Sequence, residues 1–395
     1  MRKALAALAV LALVITPLQA TAAAKAGAAC IKAGAISTVT GIKYTCVKSG
    51  KKLVWDKGVK LIAAAKPIPA PIVTPTPAAS PTPAATPTQS ATPTPTPTSF
   101  NNLVVNYKGI AFAAWSSTQT MIQKAGDALT AGSILIGPDT NATNSEVKVD
   151  FATASKMWAL YNQPKQFVAL YYGFSDIQWA KSTGAQQVGK NVDFEVDMNC
   201  SVTRCNGANA NISNPYLLNF GVSKQNTQAY FTNGGIEFHE FTHLVQYAQF
   251  NGNQIGLNSF SKMPCWFREG QAHLAGITGA ASTFSEYEKN RKDWLSTGTG
   301  GLITNFEKET IINFFNNSCS DTSGHVYDVG YFGLEALAAL NGTASTMDVL
   351  KLMNSGLTFE ASFQNVYGVS LSEAIPIISE AVSLEFKQHK NLIKP

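Results

Sequence analysis

"HEFTH", residues His239 to His243, holds two of the chain's five histidines. It lies inside "NGGIEFHEFTHLVQYAQF", where a turn signal at Asn233–Gly235 precedes Ile236, Phe238, Val245 and Tyr247 in a helix-compatible pattern. On that helix the two histidines are one turn apart, so both imidazoles project to one side and can share a metal ion. Glu240 stands between them, close enough to touch a water on that metal without binding it. The bland alternative is a pair of hydrogen-bonded helix histidines, and the surrounding sequence has to decide between the two.

A catalytic zinc site takes three protein ligands and keeps a fourth position open. One zinc-peptidase class supplies the third through H-E-x-x-H-x-x-G-x-x-H, but Gln246 and Gln249 occupy the glycine and final histidine positions, which excludes it. The next candidate lies in "PCWFREGQAHLAG", residues 264–276, where Pro264 suits a first helical turn and Glu269 falls mid-helix. A carboxylate there, on a second helix packed beside the first, completes a His, His, Glu set. His273, one turn further on, is the competing ligand.

The 395 residues suffice for one large domain with smaller attachments, and 45% hydrophobic with 14% charged residues is a globular balance. Charge is unevenly spread. Residues 1–99 hold 11 of the 30 Lys and Arg but one of the 25 acidic residues, Asp56, so the remainder is mildly acidic. That acidic balance and the absence of a phosphate-cradling glycine loop argue against nucleic acid as a partner.

Three pieces follow from the pattern. The opening "MRKALAALAVLALVITPLQATAAAKA" has Arg2 and Lys3, an apolar run to about Val14 and small residues near Ala20–Ala24, the layout of a secretory signal peptide over residues 1–24. No later segment is long and apolar enough to span a membrane, so a secreted or cell-surface protein is expected. In an oxidising compartment six cysteines favour disulfides; proximity pairs Cys30 with Cys46 and Cys200 with Cys205, leaving Cys265 and Cys319. Residues 25–62 form a small unit with seven lysines against one aspartate between Cys30 and Lys60. A disulfide is its plausible staple, and its charge could hold an anionic cell-envelope polymer. It resembles short Cys- and Lys-containing repeats of secreted actinobacterial proteins. Residues 66–99 carry 11 of the 18 prolines amid Thr, Ala and Ser, an extended linker.

Residues 100–395 read as α+β, a mixed sheet followed by helices. "SEVKVDFATASKMWALYNQ" is a helix candidate, "KQFVALYYGFS" a buried strand, and "NVDFEVDMN", with Val192, Phe194, Val196 and Met198 at period two, a half-buried strand. Helices are expected at 236–250, 264–277, 284–296, 325–341, 345–354 and 371–390. Residues 100–150 fit either the domain itself or a pro-segment.

Three blocks in this region resemble the gluzincin metallopeptidases, the thermolysin- and aminopeptidase-like group of the peptidase MA-like superfamily. They are "HEFTH"; "WFREGQAHLAG", with W-x-x-E-G-x-A at Trp266, Glu269, Gly270 and Ala272; and "VYDVGYFGLEAL", with Y-x-x-G at Tyr327 and Gly330. "TFEASFQNVYGVSLSEA" resembles the end of that domain, and together the blocks span roughly residues 236–375. The resemblance implies a zincin-like domain, its HExxH helix and mixed sheet in a first lobe and a mainly helical second lobe. It also implies zinc held by His239, His243 and Glu269, Glu240 as general base and Tyr327 as oxyanion donor. Tyr331 and His325 are alternatives to Tyr327. One departure is that His273 stands where relatives carry a carboxylate that orients a ligand histidine, and metal-bound histidines usually have such a partner.

Two functions fit: a secreted zinc peptidase acting on peptide or protein, or a non-hydrolytic cell-surface binding protein on the same fold. The intact Glu240 favours the peptidase, since a binding module has no need of it. No anchor for a free amino terminus is recognisable, a hint towards endopeptidase action.

Overall fold

The structure is a computed structural model that describes residues 25–30, 32–33, 36–39, 42–60, 95–128, 130–201, 203–211, 216–250, 261–297, 305–320 and 324–390. The signal-peptide segment and residues 66–94 of the linker lie outside them. Contacts separate the chain into Met1–Thr88 and Gln89–Pro395.

The first unit is a small sheet, β1 (Ile36–Val39), β2 (Ile42–Ser49), β3 (Lys52–Trp55) and β4 (Val59–Lys60), with β2 antiparallel to the other three. Asp56 Oδ1 accepts the backbone N–H of Thr45 (2.9 Å) and of Gly58 (3.0 Å), closing its final turn. Among the residues of this unit whose burial is described, Cys46 is the buried one. A unit this small has little room for a core and depends on a cross-link, and the Cys30–Cys46 disulfide is present.

The second unit is a mixed α+β domain. Its helices, in chain order, are α1 (Phe100–Leu103), α2 (Ile110–Lys124), α3 (Asn144–Met157), α4 (Ile177–Val188), α5 (Asp193–Asn199), α6 (Ala229–Thr232) and α7 (Gly235–Ala248). After α7 come α8 (Cys265–Gly279), α9 (Phe284–Thr297), α10 (Lys308–Asn317), α11 (Val329–Asn341), α12 (Thr343–Asn354), α13 (Phe359–Tyr367) and α14 (Leu371–His389). Its strands are β5 (Ala131–Ile136), β6 (Gln166–Tyr172), β7 (Asn206–Asn211) and β8 (Tyr216–Val222), in the order β5-β6-β8-β7. The first three are mutually parallel and β7 runs antiparallel to β8.

Both faces of this sheet are covered, which explains the unbroken apolar run "QFVALYY" in β6. Phe167, Tyr171 and Phe220 pack with Phe151 of α3 and Phe241 of α7 on one face. Val168, Leu170 and Leu217 pack with Ala180, Val192 and Val196 on the other. Residues 100–150 are integral, since α2 packs on α8 and α11 and β5 is a sheet strand.

Residues 193–199 are the helix α5, not the expected strand. Val192 and Val196 are buried, whereas Phe194 is 75% exposed and Met198 48%. The buried pair is spaced four apart, a helical period, and Asp193 and Glu195 sit in the first turn, where a helix favours acids.

Candidate metal centre

Helix α7 is buried nearly all round, Ile236, Phe238, Phe241, Leu244 and Val245 anchoring it beneath the sheet and against α8. A helix with apolar residues on every side belongs in a core, so the polar residues it buries need partners. His239 and Glu240 are each 4% exposed. The Cys265–Cys319 disulfide ties the first residue of α8 to the turn after α10, one helical turn before Glu269. Directly after Glu269, a side chain on Gly270 would collide with the backbone of Gly330 in α11. That close approach brings the turn carrying Tyr327 to the same cavity as Glu269.

Three ligand atoms meet there. Glu269 Oε2 lies 3.2 Å from His243 Nε2 and 3.8 Å from His239 Nε2, and the two Nε2 atoms are 3.2 Å apart. Among the described residues this is the one His, Cys, Asp and Glu group whose donors converge closely enough to hold a metal ion. His273 is not in it.

The far nitrogens of both rings are held. His243 Nδ1 is 2.9 Å from Gln246 Oε1, and Gln246 Nε2 donates to the Arg268 carbonyl and to Gln271 Oε1, both at 2.8 Å. Because a carbonyl only accepts, the Gln246 amide can face one way, so its oxygen takes the Nδ1 proton and Nε2 is the nitrogen that faces the cluster. Gln271 Nε2 donates onward to Thr346 Oγ1 at 2.8 Å. His239 Nδ1 meets the Tyr230 hydroxyl at 3.0 Å. Tyr230 stacks on His273 (4.5 Å between centroids, 27° between planes), and His273 packs on Trp294 at 4.1 Å. A phenol and an amide therefore do the orienting expected of a carboxylate, and His273 braces the phenol.

Burial keeps the His239 ring neutral, lowering it to about 4. Burial opposes charge on His243 too, but the Glu269 carboxylate outweighs it and the ring is raised to about 9. Glu269 is likewise disfavoured as an anion by burial, yet the imidazoles, His243 foremost, hold its carboxyl well below the usual range. The cluster thus binds a proton where a cation would bind, and the donor set fits a metal that displaces it.

Glu240, Tyr327 and the three ligands line one cavity of about 910 Å³. Burial pushes the Glu240 carboxyl up to about 7, against the pull of His243. Of the three oxyanion-donor candidates only Tyr327 lines this cavity. The Tyr331 hydroxyl is fully buried and engaged with Tyr287 and Glu335, and His325 Nδ1 lies 3.9 Å from Asp328 Oδ2. Asn206 to Ala210 of β7 form another part of the wall, and β7 is the last strand in the sheet order, next to β8.

Sequence reasoning missed Tyr230, Gln246 and β7 as parts of this site. Gln246, three residues after His243 on the same helical face, was findable by spacing; Tyr230 belongs to a different helix, α6, and no spacing rule reaches it.

An α+β domain with a buried His, His, Glu group able to hold a metal ion is what fold and site define. No family model matches this chain, and no curated protein or solved structure is significantly similar to it. Among the described residues no helix is long and apolar enough to cross a membrane, and all three expected disulfides are formed.

Proposed function

We propose that this chain is a secreted zinc-dependent peptidase of gluzincin type, with His239, His243 and Glu269 as metal ligands, Glu240 as general base and Tyr327 as oxyanion donor. The observation that carries the reading is the convergence of the three ligand atoms beside Glu240, a buried carboxyl outside the ligand set. Two imidazole nitrogens and one carboxylate oxygen, each ring held from behind, suit zinc with an open position. Zinc bound there would supply Lewis acidity and an acidified water.

The chain's own residues supply the rest. Glu240, raised to about 7, is poised to take a proton from the attacking water near neutral pH and return it to the leaving amine as the C–N bond breaks. Burial, with the Glu269 and Glu240 charges, pushes the Tyr327 hydroxyl up, so it stays protonated and can donate to the oxyanion. As the edge strand in the cavity wall, β7 would offer backbone N–H and C=O groups between Asn206 and Ala210 to an extended peptide, which would add as a further strand. That edge favours a peptide over a compact small-molecule substrate. The lysine-rich first unit would hold an anionic envelope polymer.

The test is hydrolysis of a mixed peptide library by the full chain, with zinc, with a chelator and with zinc restored. Cleavage that disappears with the chelator and returns with zinc supports the reading. No cleavage by zinc-loaded protein would sink it in favour of a binding protein.

A further inference from the structure

On the sheet side of the α7 N-terminus lies a second cavity, of about 490 Å³, whose lining includes Glu146, Asp150, Tyr171, Asn226 and Glu237. Glu237 is 5% exposed; its Oε1 accepts the Tyr171 hydroxyl at 2.9 Å, and its Oε2 has no hydrogen-bond partner. Asp150, on α3, reaches the same helix entry, since a β-carbon on Gly234 would lie 2.8 Å from Asp150 Oδ1. Gly234 is the N-cap of α7, three residues before Glu237. No described basic side chain pairs with Asp150 or Glu237.

Asp150 and Glu237 thus face one partly open space, whose exposed rim carries a third carboxylate, Glu146, and no protein cation pairs with the two. The α7 N-terminus lends roughly half a positive charge, less than the pair would carry with both carboxyls ionised. Glu237 Oε2, a buried acceptor without a donor, is the group that calls for a ligand: a buried polar atom left unpaired is costly. Every negatively charged or lone-pair donor here is oxygen, the hard set that calcium-like cations prefer over zinc. The cavity has room for the waters that would complete a shell of six to eight oxygens, and the Asn226 Nδ2 donor, also unpartnered, suits one of them.

We infer that Asp150 and Glu237 form a second cation site, for a hard divalent ion of the calcium class, that clamps α3 to the entry of the metal-binding helix α7. The clamp would act on the α6–α7 segment that carries Tyr230, the residue that orients His239.

The experiment is calorimetric titration of the full chain with CaCl2 and MgCl2, together with thermal unfolding in the same salts. Expected is saturable uptake of one Ca2+ per chain, a rise of several degrees in Tm, and a weaker response to Mg2+. Uptake should be lost in Asp150→Asn and in Glu237→Gln but kept in His243→Ala, which damages only the His, His, Glu group. Removing like-charge repulsion should leave Asp150→Asn folded, with a calcium-free Tm no lower than wild type. Absence of saturable uptake, a wild-type Tm indifferent to Ca2+, uptake retained in both carboxylate variants, or uptake lost in His243→Ala would each overturn the inference. The first two would mean that the pair holds a proton only.

Discussion

Two clusters of buried charge in the second unit differ in where their polar atoms point. In one, Arg291 of α9 donates to Glu335 of α11 (Nε to Oε1 3.0 Å, Nη2 to Oε2 2.9 Å) and to Glu385 of α14 (2.9 Å), over the Phe332 ring. The Tyr287 and Tyr331 hydroxyls close on Glu335 Oε1, and Glu335 is fully buried. In the other, His239, His243 and Glu269 aim their donors at one point in a cavity, and their remaining polar atoms are bound from behind. Both clusters combine acids, bases and phenols. Burial of charge therefore does not mark a site; convergence of donors on a space that a ligand can enter does.

The largest expected effect separates the clusters by activity. Glu240→Gln should lower kcat by roughly 10²- to 10⁴-fold while metal content stays at the wild-type level, measured on a peptide that the wild type cleaves. Equal rates would remove Glu240 from the chemistry. Stability divides them the opposite way. Arg291→Ala leaves two buried carboxylates without a cation and should cost about 3–5 kcal/mol in denaturant unfolding, with metal uptake unchanged in the folded protein. A loss well under 1 kcal/mol would mean the closed cluster is not holding the helices together.

Smaller effects probe the edges of each cluster. Tyr230→Phe removes the partner of His239 Nδ1 and keeps the ring stacking, so metal affinity should fall roughly 10- to 100-fold in competition with a chelator, with little change in Tm. Unchanged affinity would show that His239 needs no phenol. His389, half-buried at the end of α14, is lowered to about 4, by burial first and then by the Arg291 charge. Because the folded chain resists protonating it, its contribution is present above the unfolded value near 6.5 and is lost as pH falls from there towards 4. His389→Gln should flatten the stability profile in that window by on the order of 1 kcal/mol after allowance for solvent screening.

Much of this was legible in the sequence because it is local or is fixed by one strong pattern. The one-turn spacing of His239 and His243, the helices from α7 onward that carry long apolar faces, and the two disulfides closed by neighbouring cysteines are all of that kind. Glu269, now seen beside the two histidines, was reached through its helix and through the expectation that a metal site needs a third ligand. The strand expectation at 192–198 misled because Val192 and Val196 satisfy a period of two and a period of four together, and only burial separates them. β7, "NGANAN", has no apolar alternation to announce a strand; β8 imposes its conformation by pairing. Tyr171 of β6, which donates to Glu237, and Asp150 of α3, which lines the same cavity, are brought there by tertiary structure that no period in the sequence records.

Glu269 is proposed to complete the metal centre from a second helix. Zinc per chain, measured by mass spectrometry after equilibration of wild type and Glu269→Gln in the same zinc-buffered solution, tests it most directly. One zinc in the wild type and a substoichiometric amount in Glu269→Gln is the predicted result; equal zinc in both proteins would contradict it.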